Sequence, residues 1–327
     1  MEYPNFTKTN YNGQEPFRLY FAGGTSTGPI DVFFKENNCL KLFTQVTDRR
    51  AIQKWIEEGP NNLFLDSGAW AAHSRGVELD VEEYIEYANS ISEHTNAIAQ
   101  VDKIPGVYKR PKTREQILEA PELSWKNYLY MKDKIKERDK LLPIFHQGED
   151  FKWLENMLEY RHSDGSPIDY IGISPANDSA VPGKIAFMDK CFKIIGNSSN
   201  PNVKTHAFGM TSLYLLERYP FWSADSAGWA KKAAYGFVYV PLPEHKLGEP
   251  GYCLISFGER TKDPLHYINL SAEAKKFVDA YLEKIGMTVE ELSTVHSSRG
   301  LANCMYLQDW ANNYRFIGQS FNKRKLF

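Results

Sequence analysis

Residues 63–70 read Leu63-Phe64-Leu65-Asp66-Ser67-Gly68-Ala69-Trp70. Three consecutive apolar residues end on an aspartate, and three small residues separate that aspartate from the next aromatic. A short, continuous apolar run is how a strand buried on both faces reads. The aspartate then stands at the strand's C-terminal end, where the small residues let a backbone or ligand come close. The arrangement returns 159 positions later as Ala224-Asp225-Ser226-Ala227-Gly228-Trp229.

Outward from this stretch, eight runs read as strands: 18–23 (RLYFAG), 63–66 (LFLD), 97–102 (AIAQVD), 142–146 (LPIFH), 169–173 (DYIGI), 204–208 (KTHAF), 221–225 (FWSAD) and 236–240 (GFVYV). Helical patterns lie between them. Residues 48–58 open on Asp48 as N-cap and stop at Gly59. Residues 80–92 have Asp80 as N-cap, Glu83 three residues on, and Val81, Tyr84, Ile85 and Ala88 at helical spacing. Further helices are predicted at 124–137, 151–160, 185–194, 212–218 and 229–234. Strands alternating with helices predict an α/β fold with a parallel sheet, and eight of them predict a closed (β/α)8 TIM-like barrel. An open doubly wound sheet is the alternative. Its phosphate loop has only a weak counterpart here, the run Gly23-Gly24-Thr25-Ser26-Thr27-Gly28. Beyond Val240 the pattern changes to a Pro/Gly loop, an extra strand at 252–257 and helices at 271–285, 289–292 and about 299–313. The chain thus divides into a barrel, residues 1–265, and a helical C-terminal extension packed on it, residues 266–327.

Composition narrows the function. Hydrophobic residues at 42% and charged residues at 24% of 327 are the globular average and exclude general disorder. Lys+Arg of 39 against Asp+Glu of 41 excludes a wholly basic nucleic-acid coat, while leaving room for a local basic face. Cys39, Cys191, Cys253 and Cys304 form no CxxC pair, which excludes a four-thiolate zinc site, and no cofactor or metal is expected. No run of 18 apolar residues exists, so no membrane span is expected. The opening residues lack the apolar core of a signal peptide, which predicts reduced thiols in a cytoplasm.

In a barrel of this kind, functional side chains stand at the C-terminal ends of strands. Asp66, Asp102 and Asp225 are there. An Asp-Ser pair is also a helix N-cap signal, so capping is the plainer role for each. Three carboxylates at one mouth point instead to acid/base and nucleophilic work on a sugar or base. Other strand ends are Phe145-His146-Gln147-Gly148, Ile171-Gly172-Ile173-Ser174 and Thr205-His206-Ala207-Phe208-Gly209-Met210. Glutamine and backbone amides beside glycine suit the in-plane hydrogen bonds of a purine edge. His146 and His206 read either as hydrogen-bonded core histidines or as catalytic groups. Trp70, Phe208, Trp222 and Trp229 are candidates for aromatic walls or for core packing. Lys103, Lys109, Arg110, Lys112 and Arg114 form a basic run after the 97–102 strand. Arg75, Arg299, Arg315 and Lys323-Arg324-Lys325 are candidates to extend a phosphate-binding face.

In chain order, FLDSGAW, QVDKIP, IFHQG, YIGIS, THAFGMTS and ADSAGW resemble the strand-end motifs of the tRNA-guanine transglycosylase (queuine tRNA-ribosyltransferase) superfamily, over residues 63–229. The resemblance implies a pentosyltransferase that exchanges guanine for a 7-deazaguanine through a covalent aspartyl-sugar intermediate. It makes Asp66 the general acid/base and Asp225 the nucleophile. It gives Ser67, Gly68, Asp102, Gln147 and Gly172 to the base, with His206 and Gly209 lining the mouth. Arg75, Lys103, Lys109, Arg110 and Lys112 would meet the nucleic-acid backbone. The tRNA enzymes carry a CxCxxC-plus-His zinc site after the nucleophile, where this chain has only Cys253 and Cys304. The chain is therefore most similar to the shorter DNA-modifying branch, the DpdA proteins of phages and bacteria. The expected partners are DNA and a free 7-deazaguanine base such as preQ0. A zinc-free tRNA-directed relative, an inactive nucleic-acid-binding barrel and a glycoside hydrolase remain the alternatives.

Overall fold

The computed structural model describes residues 16–23, 28–59, 62–176, 179–210, 212–242 and 251–314. Most of the Gly23–Gly28 run, Arg315 and Lys323-Arg324-Lys325 lie outside them. Eleven strands occur among the described residues: β1 (Arg18–Phe21), β2 (Leu40–Thr44), β3 (Leu63–Asp66), β4 (Thr95–Ala99), β5 (Leu141–Leu142), β6 (Ile144–His146), β7 (Tyr170–Ser174), β8 (Lys204–Ala207), β9 (Ser223–Ser226), β10 (Phe237–Pro241) and β11 (Tyr252–Ser256). The helices are α1 (Pro29–Glu36), α2 (Gln45–Glu58), α3 (Ala69–Arg75), α4 (Val81–Ser90), α5 (Arg114–Met131), α6 (Lys152–Glu159), α7 (Val181–Asn197), α8 (Leu213–Arg218), α9 (Gly228–Ala234), α10 (Ala272–Lys284), α11 (Val289–Thr294) and α12 (His296–Asn313).

The first nine strands form one parallel sheet in the order β5-β4-β3-β2-β1-β9-β8-β7-β6. Only Pro143 separates β5 from β6. Proline has no N–H to give the ladder, but its carbonyl accepts the Gly172 N–H at 2.8 Å, and Leu142 O accepts the Gln100 N–H at 3.1 Å. The two short strands therefore act as one stave, and eight staves make the TIM-like barrel that the alternation predicts.

Two staves differ from the sequence reading. Residues 236–240 do not enter the barrel; as β10 they pair antiparallel with β11, Val238 opposite Ile255. Their expected place in the ring belongs to β2, LKLFT, which pairs with β1 and β3. Lys41 interrupts the apolar pattern there and hides the strand. Its side chain is nonetheless buried, over the Phe34 and Phe43 rings at 4.5 and 5.3 Å, with no hydrogen-bond partner among the described residues. Burial pulls its pKa down to about 8.

Alternation along each strand sorts the core into layers. Tyr20, Leu42, Phe64, Ala97, Ala99, Leu142, Ile144 and Tyr170 fill the barrel. Leu63, Leu65, Phe43, Ile98 and Ile171 point outward under the helices. A buried side chain of this size contributes roughly 1.5–3 kcal/mol. Asp66 has the same parity as Phe64 and so faces the barrel axis. Helix α4 shows how the outer layer is set. Asp80 caps it by accepting the Glu82 and Glu83 N–H groups. Its buried Tyr84 donates to Leu65 O at 3.2 Å and Ala99 O at 2.9 Å, tying β3 to β4 just below the mouth.

The β10–β11 hairpin shares a core with the last helices, where Val238, Val240, Ile255 and Phe257 pack with Val278, Leu282 and Leu292. Helix α12 is pinned between this unit and the barrel. Its Arg299 is buried and donates to Ala233 O at 3.0 Å and Leu292 O at 2.6 Å, closing the C-terminal ends of α9 and α11. Arg299 is therefore a helix cap, not part of a phosphate-binding face. Among the described residues no helix is long and apolar enough to cross a membrane.

Candidate active site

The C-terminal strand ends surround a cavity of about 810 Å³. Asp66, Ser67, Asp102, Gln147, Gly209 and Asp225 all line it. Neither strand-end aspartate of the echoed motif caps a helix: the N-caps of α3 and α9 are Gly68 and Ala227. The serines close the turns instead. Ser67 Oγ accepts the Ala69 N–H at 3.4 Å, and Ser226 Oγ accepts the Gly228 N–H at 3.0 Å. Each aspartate is thereby left free to point inward.

Their surroundings differ. Asp66 accepts hydrogen bonds from the Gly68 N–H and, at 3.4 Å, from Thr44 Oγ1. Burial, then the charges of Asp225 and Asp102, push its pKa up to about 7. Gly68 has φ +78°, and a Cβ there would lie 2.5 Å from Thr44 Cγ2, so this turn needs glycine. Asp225 accepts the Gly209 N–H at 2.7 Å and has His206 Nε2 at 3.3 Å. His206 is fully buried, and burial lowers its pKa despite Asp225. The ring is neutral, with its proton on Nε2 facing the carboxylate, which can only accept. His206 Nδ1 then accepts from Ser223 Oγ at 2.8 Å, with Tyr170 Oη at 3.2 Å.

Asp102 is held from two sides. Gln100 Nε2 donates to its Oδ1 at 2.8 Å, and His146 Nε2 is 3.2 Å from its Oδ2. His146 Nδ1 lies 3.1 Å from Glu149 Oε1. His146 and Glu149 line the cavity, and Glu149 was not among the predicted site residues. Its signal was modest: a carboxylate three residues after a strand-end histidine.

The remaining predicted residues divide by position. Gln147 is at the mouth, but its side chain serves a neighbouring loop: Oε1 accepts the Ala176 N–H at 3.0 Å, and Nε2 donates to Ser179 Oγ at 3.1 Å. Gly172 lies in β7, where a Cβ would overlap the Phe208 ring; its smallness seats that ring. Gly68 and His206 stand behind the cavity wall rather than in it. Lys103, Lys109, Arg110 and Lys112 line the lip. Lys103 is paired with Glu78 at 2.9 Å, whereas Lys109, Arg110 and Lys112 have no acidic partner among the described residues. Arg75 is exposed at the end of α3 and does not line the cavity.

Of the four aromatic candidates, Trp70 and Phe208 line the mouth. Trp222 is at the opposite end of the barrel, between Arg18 at 4.1 Å and Lys204 at 4.9 Å. Trp229 is buried against Phe34 and donates to Ala22 O at 3.0 Å. Tyr108, edge-on to Trp70 at 6.1 Å, supplies the wall that the two tryptophans do not. Among the described residues no group of three or more His, Cys, Asp or Glu is placed to hold a metal ion. No protein-family model matches the chain, and no match is found among curated proteins.

Proposed function

We propose that the chain is a DNA-guanine transglycosylase, exchanging guanine in DNA for a 7-deazaguanine base of the preQ0 kind. The observation that carries this reading is the pairing of Asp66, its pKa raised to about 7, with Asp225, seated on a backbone N–H and a neutral histidine, in one aromatic-walled mouth. Base exchange needs an acid that still holds its proton near neutral pH and a carboxylate poised to attack.

A guanine taken out of the stack enters between Phe208, Trp70 and Tyr108. The Asp225 carboxylate attacks C1′ as the N-glycosidic bond breaks, giving an aspartyl-sugar ester. Asp66 delivers its proton to the departing guanine. The incoming base then gives its N–H proton to Asp66 as its nitrogen attacks C1′, and the ester bond breaks to restore Asp225. Asp102 holds the base edge, and Lys109, Arg110 and Lys112 meet the phosphates on the lip.

The test is incorporation of labelled guanine into duplex DNA, single-stranded DNA and tRNA in parallel, with Asp225→Ala as control. Label entering DNA but not tRNA is expected. Label entering tRNA alone moves the chain to the tRNA-directed alternative, and label entering none of them overturns the exchange reading.

A further inference from the structure

His146 takes no part in the two proton transfers above, yet one side of the mouth is arranged around it. Its ring bridges carboxylates from two loops, Asp102 at 3.2 Å and Glu149 at 3.1 Å. Glu149 is fixed in turn, because its Oε2 accepts the His146 backbone N–H at 3.1 Å. A neutral imidazole has one N–H and would turn a lone pair on one of the two facing oxygens, whereas an imidazolium donates to both. Burial alone would lower the ring's pKa, but Asp102 and Glu149 outweigh it and hold the ring well above its ordinary value. Gln147, the neighbour that the resemblance assigns to the base, is turned toward Ala176, Ser179 and Gly183.

We propose that His146, held by Glu149, is a positioning residue that fixes Asp102 for reading the adjacent N–H groups of a purine-like base. This deepens the base-exchange reading and rests on it. Each carboxylate oxygen accepts more than one hydrogen bond, so Asp102 keeps acceptor capacity toward a ligand while Gln100 and His146 hold it. An imidazolium beside Asp102 also opposes the negative charge that Asp102 places on Asp66. The other charged groups around the cavity are Asp225 from β9 and Lys103, Lys109, Arg110 and Lys112 from the lip.

Histidine-selective nitrogen NMR on the full chain reads the ring, carboxyl-carbon NMR reads Asp66, and calorimetry with free guanine reads the consequence. His146 is expected to stay protonated past pH 7, with its midpoint falling in Glu149→Gln. His146→Gln is expected to bind guanine about tenfold more weakly, or about 1.4 kcal/mol, and to move the Asp66 midpoint upward. A neutral His146 ring at pH 7, or guanine affinity unchanged in His146→Gln, overturns the proposal. Failure of the wild-type protein to bind guanine overturns the base-exchange reading instead, and the His146 and Asp66 midpoints then decide the clamp by themselves.

Discussion

Residues 65–70 and 224–229 share a strand-end Asp-Ser followed by small residues and a tryptophan, yet they build different halves of one site. In both turns the serine satisfies the next backbone N–H and the aspartate points into the barrel. The difference lies in the neighbouring staves. Asp66 has the Gly68 N–H of its own turn and, from β2, a threonine hydroxyl at 3.4 Å, which do not offset burial and two nearby carboxylates. The turn after β8 gives Asp225 the Gly209 N–H at 2.7 Å, and β8 itself gives His206, backed by Ser223. On the base-exchange reading proposed above, one short motif thus serves as a proton carrier at Asp66 and as a nucleophile at Asp225. At Asp66, burial and two nearby carboxylates favour the protonated form.

The comparison breaks most sharply at Asp225. Asp225→Ala is expected to reduce exchange at least ~10⁴-fold, with circular dichroism and melting temperature close to wild type. Measurable exchange in that variant would remove the nucleophile assignment. Asp66→Asn is expected to lower exchange about 10²–10⁴-fold. In the wild type the rate should fall as pH rises through about 7, where Asp66 gives up its proton. Stability gives an independent reading. The folded value of about 7 lies above the ordinary 3.8, so the folded state binds this proton more tightly than the unfolded chain. Its stabilising contribution is therefore complete below pH 4 and is lost as pH rises toward 7 and beyond. Asp66→Asn should be more stable to unfolding than wild type at pH 8, by up to roughly 4 kcal/mol, and nearly equal to it at pH 4. Equal differences at both pH values would refute the raised pKa.

Much of this was legible because barrel strands write their ends in sequence. Asp66, Asp102 and Asp225 were found as the polar residues that close apolar runs. β2 was missed because a lysine in mid-strand looks solvated; Lys41 is instead covered by aromatic faces that α1 and β2 bring together. Residues 236–240 looked like an eighth stave because alternation says nothing about a strand's partner. For Trp222 and Trp229, proximity in sequence left wall and core packing open; the first precedes its strand, and the second packs in the core under its helix. His146 and Glu149 pair locally, three residues apart, but only the fold brings Asp102 from the end of β4 beside them, which no local pattern encodes. Gln147 had the right residue type for a base edge, but the loop across from it took its hydrogen bonds.

Smaller perturbations separate the two halves more finely. His206→Gln should act on the Asp225 half alone. Burst experiments should show formation of the covalent intermediate slowed about tenfold, on the scale of one charge-assisted hydrogen bond, with the pH at which Asp66 titrates unmoved. A shift in that pH would mean that His206 also acts on Asp66, through the Asp225 charge that already raises its pKa. The lip should act on both halves alike. Lys109, Arg110 and Lys112 have no acidic partner among the described residues, whereas Lys103 is paired with Glu78. Replacing the first three by alanine should reduce the dependence of log affinity on log salt for DNA by about 2–3, while Lys103→Ala reduces it less. At saturating DNA, intermediate formation and base return should then proceed at wild-type rates, because phosphate contacts act before either aspartate does. Arg75→Ala, exposed and away from the cavity, should leave the salt slope as it is. A slope that responds to Arg75 and not to the lip would place the nucleic-acid backbone over α3 rather than over residues 109–112, and so closer to Asp66 than to Asp225.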